Sequence, residues 1–287
     1  MNKIKIFGDS TLDLSPELIE KYDITIVPLT VIVGGENYKD TIEITPDKIF
    51  EHVSKTGELP KTAAINTEIY KDYWTPYLEQ GYDIVHFNIG STLSMCNQSA
   101  NLAAKDLGED RVFVVDTLNL STGSGLLALY ASDLANKGFS AKEIAQKCRD
   151  RVPNVQASFI LDRLDYLHKG GRCSGLTLLA ASVLNIKPSI RVTNGVLGAA
   201  KKYVGKFMHC AEKYARDTLA DFKNPDHTRV FITHTAVPQP ILDRLHEIVA
   251  EYGFKEILDT TAGCTISCHC GPCCVGVLFI NDGDQQD

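Results

Sequence analysis

The strongest limit on this chain is an alternation in its first half. Short, β-branched apolar runs are separated by segments that begin with helix caps. KIKIFGD (3–9) reads as a buried strand, and Ser15-Pro16-Glu17 supplies a cap and an N1 proline for the helix behind it. ITIVPLTVIV (24–33) reads as a second strand closed by the Gly34-Gly35 turn, and Thr45-Pro46-Asp47 starts another helix. DIVHFNI (83–89) and RVFVVDT (111–117) continue the strands; SMCNQSANLAAKDL (94–107) and STGSGLLALYASDLANKG (121–138) continue the helices. Strands this apolar, alternating with helices, predict a parallel sheet covered on both faces.

The second half has a different rhythm. ASFILDR (157–163) is a strand, and LTLLAASVLNI (176–186) is apolar nearly all round, which predicts a buried helix. Strands are expected at PSIRVTN, VLGAAKKYV, TRVFITHT, KEILDTT and CVGVLFI, with helices over 206–222 and 239–252. More strands than helices predict a mixed sheet covered mainly on one side. A length of 287 residues suits two domains, and a charged helix end near Asp150–Pro153 divides them into 1–150 and 151–287.

Composition removes several function classes. A net charge of −7, with no basic run denser than Lys201-Lys202 and Lys206 nearby, argues against nucleic-acid binding by general phosphate attraction. MNKIKIFGDS is too short in apolar residues for a signal peptide, and no segment approaches a membrane span. The expected location is the cytoplasm, where thiols stay reduced; nine cysteines, an odd number, cannot all pair within one chain. The dinucleotide and phosphate-loop fingerprints and the nucleophile elbow are missing. Lys169-Gly170-Gly171-Arg172 looks like a phosphate loop but has no strand at the right spacing, and His86, His168, His209, His234 and His269 are scattered.

Ligands of an open parallel sheet bind beyond the carboxyl ends of its strands. Asp9-Ser10-Thr11, GSTLS (90–94) and Asp116-Thr117 lie there, and Thr62 precedes another helix. These hydroxyl-rich turns lead into helix N-termini, where free N–H groups favour an anion. Each is equally read as a helix cap. By the residues alone this is a two-domain α/β protein with a hydroxyl-lined anion site.

Taken together, these segments resemble the DegV family of bacterial fatty-acid-binding proteins, the FakB-type partners of a fatty acid kinase. GDSTLDLSPE (8–17) matches that family's opening signature, followed by VPL (27–29) and Tyr38-x-Asp40. GSTLSMCNQSA (90–100), VVDTLNLSTGSG (114–125), LDYLHKGGR (164–172) with LNIKPSI (184–190), and HCGPCCVGV (269–277) follow in order. The resemblance implies a DegV-like α/β fold: an α/β/α domain with a four-stranded parallel sheet, then a domain with a six-stranded mixed sheet. It also implies one long-chain fatty acid, such as palmitate, held between the domains. The positions matching its carboxylate site are Thr62 and Ser94 with His269 close by, and Ser91 and Ser10 as secondary head-group contacts. The chain would then be a carrier and not an enzyme, with no cofactor beyond the lipid. It would present the carboxylate to a separate kinase, whose acyl phosphate feeds phospholipid synthesis, and would not insert stably into membranes.

Three positions depart from the family pattern. Met95-Cys96 stand where Gly-Thr is usual, Thr62-Ala63-Ala64 replaces a TSxP-like stretch, and Val204 takes the place of an arginine found in members of the kinase system.

CTISCHCGPCC (264–274) holds five of the nine cysteines. Against the family's H-T-G-P-G, Cys270 replaces Thr and Cys273 replaces Gly, so the stretch reads as a turn whose cysteines act as small buried hydrophobes in a lipid-site wall. Two other readings stand beside it. Cys264, Cys268, Cys270 and Cys273 offer four thiolates for zinc, though without the spacing of a ribbon or a ferredoxin. Cys270 or Cys274 with Cys273 offers a redox pair. A phosphotransfer enzyme on a related scaffold is a further alternative, because fold alone does not fix function.

Overall fold

Pro28 divides the run expected to be one second strand. Its two halves, β2 (Ile24–Val27) and β3 (Thr30–Val33), belong to different sheets. Proline has no N–H to give to a ladder, so pairing breaks where it stands. The computed structural model describes residues 2–108, 110–173 and 186–285.

β1 (Lys3–Asp9) and β2 are joined by β6 (Tyr82–Asn88) and β7 (Val112–Asp116) in a four-stranded sheet of order β2-β1-β6-β7, parallel throughout. The order reverses between β1 and β6, so the crevice beyond Asp9 and Asn88 is the topological switch point. Between these strands in sequence, β3, β4 (Glu36–Lys39) and β5 (Lys61–Ala63) form a small antiparallel sheet that the alternation pattern had not suggested.

The second large sheet contains β8 (Val155–Gln156), β9 (Ser158–Leu161), β10 (Ile186–Thr193), β11 (Val196–Val204), β12 (Arg229–Thr235), β13 (Glu256–Thr261) and β14 (Cys274–Ile280). Its main path is β11-β10-β9-β14-β12-β13, with β8 paired to the far end of β14. The six expected strands are therefore present, and the two-residue β8 makes a seventh. Only β12 and β13 run parallel.

The α-helices among the described residues are α1 (Pro16–Lys21), α2 (Pro46–Thr56), α3 (Thr67–Glu79), α4 (Cys96–Leu107), α5 (Thr122–Asn136), α6 (Ala141–Arg151), α7 (Asp165–Gly170), α8 (Phe207–Asp221), α9 (Gln239–Ala250) and α10 (Cys264–Cys270). Ser15 caps α1 as its sequence predicts, accepting from the Leu18 N–H. Residues 174–185, which hold most of the expected buried helix LTLLAASVLNI, lie outside the described residues. No helix among the described residues is long and apolar enough to cross a membrane.

α5 sits between the two large sheets and is buried on nearly every face. A methyl group on Gly125 would meet the Leu12 carbonyl oxygen at 2.8 Å, and Thr122 Oγ1 lies 2.6 Å from Thr233 Oγ1 of β12. One continuous core accordingly contains Phe7 and Phe87 from the first sheet and Phe159 and Phe231 from the second. α8 and α9 cover the opposite face of the second sheet.

The cysteine-rich segment departs from expectation. CTISCHC is a buried helix, and only Gly271 to Cys273 form the turn before β14. Cys264 and Cys268, one helical turn apart, pack with Val31, Ile44 and Ile49, so the small sheet and α2 rest on α10.

Candidate functional site

The switch-point crevice opens into a cavity of about 350 Å³, within the range of small-molecule sites. Its exposed rim carries Ser91, Thr92, Met95 and Arg172, and its buried floor carries Leu29, Ile89, Leu120, Phe159 and Ile266. Thr62, Ser94 and His269 lie between rim and floor. The elements that bring these residues together are β5, the β6–α4 loop, the turn after α7, and α10.

Asp9 organises the β6–α4 loop from below. Buried at the end of β1, it accepts hydrogen bonds from Tyr70 Oη (2.8 Å), Asn88 Nδ2 (3.2 Å) and the Ile89 N–H (3.0 Å), and lies 3.1 Å from His86 Nε2. A buried carboxylate is tolerated only when so satisfied. Asp116 holds the far side, accepting from the N–H groups of Ser91 (3.1 Å) and Leu118 (3.0 Å). The Asp116-Thr117 turn is thus engaged within the protein, though not as the expected helix cap, since α5 starts only at Thr122. Gly90 suits a crowded position, since a Cβ there would approach the Asn119 nitrogen to 3.0 Å.

Ser94 opens α4. Its Oγ accepts from the N–H of Cys96, the first residue of α4, at 3.3 Å and donates to Cys96 Sγ at 3.1 Å, so it is tied to the start of the helix while lining the cavity. The unpaired N–H groups and dipole of this first turn favour negative charge near Ser94. Ser91 stands at the rim, but here its backbone is the part that is engaged.

Thr62 Oγ1 lies 3.0 Å from His269 Nε2. Burial, and secondarily the charge of Arg172, depresses the imidazole pKa from its ordinary value to about 4, so His269 is neutral at physiological pH. Its Nδ1 is buried without a protein partner. Gly170 leaves room for the ring: a Cβ there would fall 2.4 Å from Nδ1. This is a physical use for the first glycine of HKGGR. The arginine that follows is the cation at the rim, a role the sequence did not separate from that of a phosphate loop.

Ser10, expected as a secondary head-group contact, does not line the cavity. Its Oγ donates to Asp40 Oδ2 (2.8 Å) and accepts from the Leu29 N–H (3.1 Å) in a buried setting. Asp40 in turn accepts from the N–H groups of Cys264 (2.8 Å) and Thr265 (3.2 Å), and Asp13 accepts from that of Gly263 (2.9 Å). Two carboxylates from the first half therefore grip the N-terminus of α10, the helix that carries His269. Burial raises the Asp13 pKa to about 7. Neither aspartate was a site candidate by sequence; their only signal was their place in GDSTLDL and Tyr38-x-Asp40.

None of the nine cysteines is in a disulfide. Burial pushes Cys96 and Cys264 up to about 12 and raises Cys268 and Cys274 as well. Such thiols are poor nucleophiles and poor ligands. Among the described residues, no three His, Cys, Asp or Glu side chains converge as a metal site needs. Cys270 lines the cavity floor.

The family model described as an uncharacterised DegV family protein matches residues 3–282. The chain belongs to the DegV family. A DegV domain-containing protein of Clostridium perfringens is 31% identical over 283 residues, covering 98% of this chain and 100% of that protein. A protein of Thermotoga maritima named as fatty acid-binding is 31% identical over 283 residues, covering 96% of each. A solved DegV family structure from Thermus thermophilus, described by its fatty acid binding, superposes with a TM-score of 0.90 at 28% identity, covering 98% of this chain and 100% of that one. The two-sheet DegV-like fold implied by the sequence is the fold found.

Proposed function

We propose that this DegV chain binds one long-chain fatty acid, with its carboxylate among Thr62, Ser94 and His269 and its tail on the apolar floor. The observation that carries this reading is one cavity with an apolar, buried floor and, toward solvent, the hydroxyls of Thr62, Ser91, Thr92 and Ser94 with the Arg172 guanidinium. Hydroxyl donors and a helix N-terminus stabilise a carboxylate by charge-assisted hydrogen bonds. Neutral His269 supports the arrangement by hydrogen bonding, and Arg172 adds the positive charge. Affinity comes from the tail: at about 0.8 kcal/mol per buried CH₂, a palmitate-length chain supplies roughly 10 kcal/mol before ordering costs. Two relatives named for fatty acid binding support the assignment.

The finer reading is a carrier that presents the carboxylate to a fatty acid kinase, from which acyl phosphate passes to phospholipid synthesis. The head-group donors lie just inside the exposed rim of Ser91, Thr92 and Arg172, which suits attack by a second protein. The chain itself supplies no catalytic step, and the lipid is its only ligand. Val204, 70% exposed on the outer strand β11 beside Lys201 and Lys202, occupies the place of the family arginine, so engagement would rest on the neighbouring lysines.

Native mass spectrometry on the purified protein, followed by extraction, tests the binding. One fatty acid per chain, from purification or after loading, supports the reading. A chain that neither carries nor takes up fatty acid overturns it. Incubating the loaded protein with a fatty acid kinase and ATP then tests presentation, read as acyl phosphate trapped with hydroxylamine.

A further inference from the structure

A second cavity, of about 340 Å³, lies where the loop after β7, the chain from α6 into β8 and the β10–β11 turn come together. It shares no lining residue with the cavity described above. Asn194 and Gly195 shape the turn with φ of 50° and 80°, as a two-residue hairpin requires. Thr92 Oγ1 donates to the Gly195 carbonyl and pins that turn against the first half of the chain.

Three polar side chains in the wall lack partners that burial demands. Arg191 Nη2 donates to Asp221 at 3.3 Å, while its Nε is buried without a hydrogen bond. Gln156, 2% exposed, donates through Nε2 to Ser158 Oγ (2.9 Å) and to the Val277 carbonyl (3.0 Å), and its Oε1 is buried and unpaired. Asn119, 3% exposed, accepts from the Leu120 N–H (2.9 Å) through Oδ1, and its Nδ2 makes no hydrogen bond to the described residues. Native interiors leave few polar groups unpaired, so three of them around one cavity point to an occupant.

Charge narrows what that occupant is. Among the described residues, Arg191 is the only charged side chain in the lining; Asp221 stands outside it and is shared with Lys201 (3.0 Å). The guanidinium lies over the Phe222 ring (4.9 Å), which orients its fork of N–H groups. Such a fork matches a carboxylate or a phosphate. The rest of the polar wall is amide and hydroxyl, from Asn154, Thr193, Asn194 and Asn281, which both donate to and accept from ligand hydroxyls.

We propose that this cavity binds a small hydroxylated anion, a polyol or sugar carrying one carboxylate or phosphate, with Arg191 and Asn119 at the anion and Gln156 and Asn194 at the hydroxyls. The volume falls within the range of small-molecule sites. The proposal stands apart from the lipid reading and does not depend on it.

Calorimetric titration of the full chain with gluconate, glucose 6-phosphate and glucose tests it. At least one of the two anions is expected to bind saturably, with glucose about tenfold weaker or more; the tighter anion tells carboxylate from phosphate. Arg191→Gln is expected to weaken the anion about tenfold. Asn194→Gly keeps a residue that accepts positive φ and removes the amide, and is expected to weaken binding several-fold. Should thermal melts show that one variant has not folded, the other decides. Arg172→Gln, at the rim of the first cavity, is expected to leave these affinities unchanged. Loss of binding in that variant, no saturable binding to wild type, glucose binding as tightly as the anions, or binding untouched in the folded Arg191 and Asn194 variants overturns the proposal.

Discussion

Thr62 on strand β5 and His269 on helix α10, 207 positions apart, meet at 3.0 Å. The contact joins the small antiparallel sheet of the first half to the cysteine-rich helix near the end of the chain. It also fixes one side of the cavity proposed to hold the head group. Because His269 is neutral, the pair offers hydrogen bonds without a competing charge.

Removing a hydroxyl at the head group is expected to weaken binding without unfolding the protein. Hydrogen bonds to a charged group are worth about 1.5–3 kcal/mol, so Thr62→Ala or Ser94→Ala should each loosen fatty acid roughly 10- to 100-fold. Fluorescent fatty acid displacement measures this, with thermal melts that stay near wild type. Ser10→Ala should act differently, lowering stability through the orphaned Asp40 contact more than it lowers affinity per folded molecule.

Acid is expected to destabilise the protein through His269. Its folded pKa of about 4 lies below the ordinary value of 6.5, chiefly from burial. The unfolded chain therefore binds the extra proton first, and this contribution to stability is complete above pH 6.5 and is lost as pH falls toward 4. The full effect is on the order of 3 kcal/mol. Urea unfolding across this window should show a stability gap between wild type and His269→Gln that shifts in favour of the variant as pH falls.

Thiol labelling should single out one cysteine. Cys273 is the only one of the nine that is not buried; partial burial raises its pKa as burial raises those of Cys96, Cys264, Cys268 and Cys274, so access rather than acidity sets it apart. Under native conditions a thiol reagent is expected to modify Cys273 first, and Cys273→Ser should remove the fast phase. Rapid labelling of several sites, or stoichiometric zinc in the purified protein, would return the redox or metal reading of this segment.

Asp9→Ala should be severely destabilising. It orphans the Tyr70 hydroxyl, the Asn88 amide and the Ile89 N–H in a fully buried setting. Each buried donor left without its acceptor costs about 1–3 kcal/mol. Chemical denaturation measures the loss; because Ile89 leads into the head-group loop, fatty acid affinity should fall with it.

The layered α/β class, the parallel order of the first sheet and the positions of most strands are local matters. They follow from the periodicity of apolar residues and from caps such as Ser15, which short stretches of chain carry by themselves. The segments that resemble the DegV family likewise lie in order along the sequence. Other features arose only when distant segments met. Pro28 sent half of an apparent strand into a separate sheet, a choice made by which partners had N–H groups to share. CTISCHC became a helix because Asp13 and Asp40 satisfy its first N–H groups and because Val31, Ile44 and Ile49 cover its cysteines. Ser10 turned inward to hold Asp40, while Arg172 turned to the cavity rim. The sequence determined which groups were available for hydrogen bonding and burial; only tertiary structure decided which of them would satisfy one another and which would be left to face a ligand.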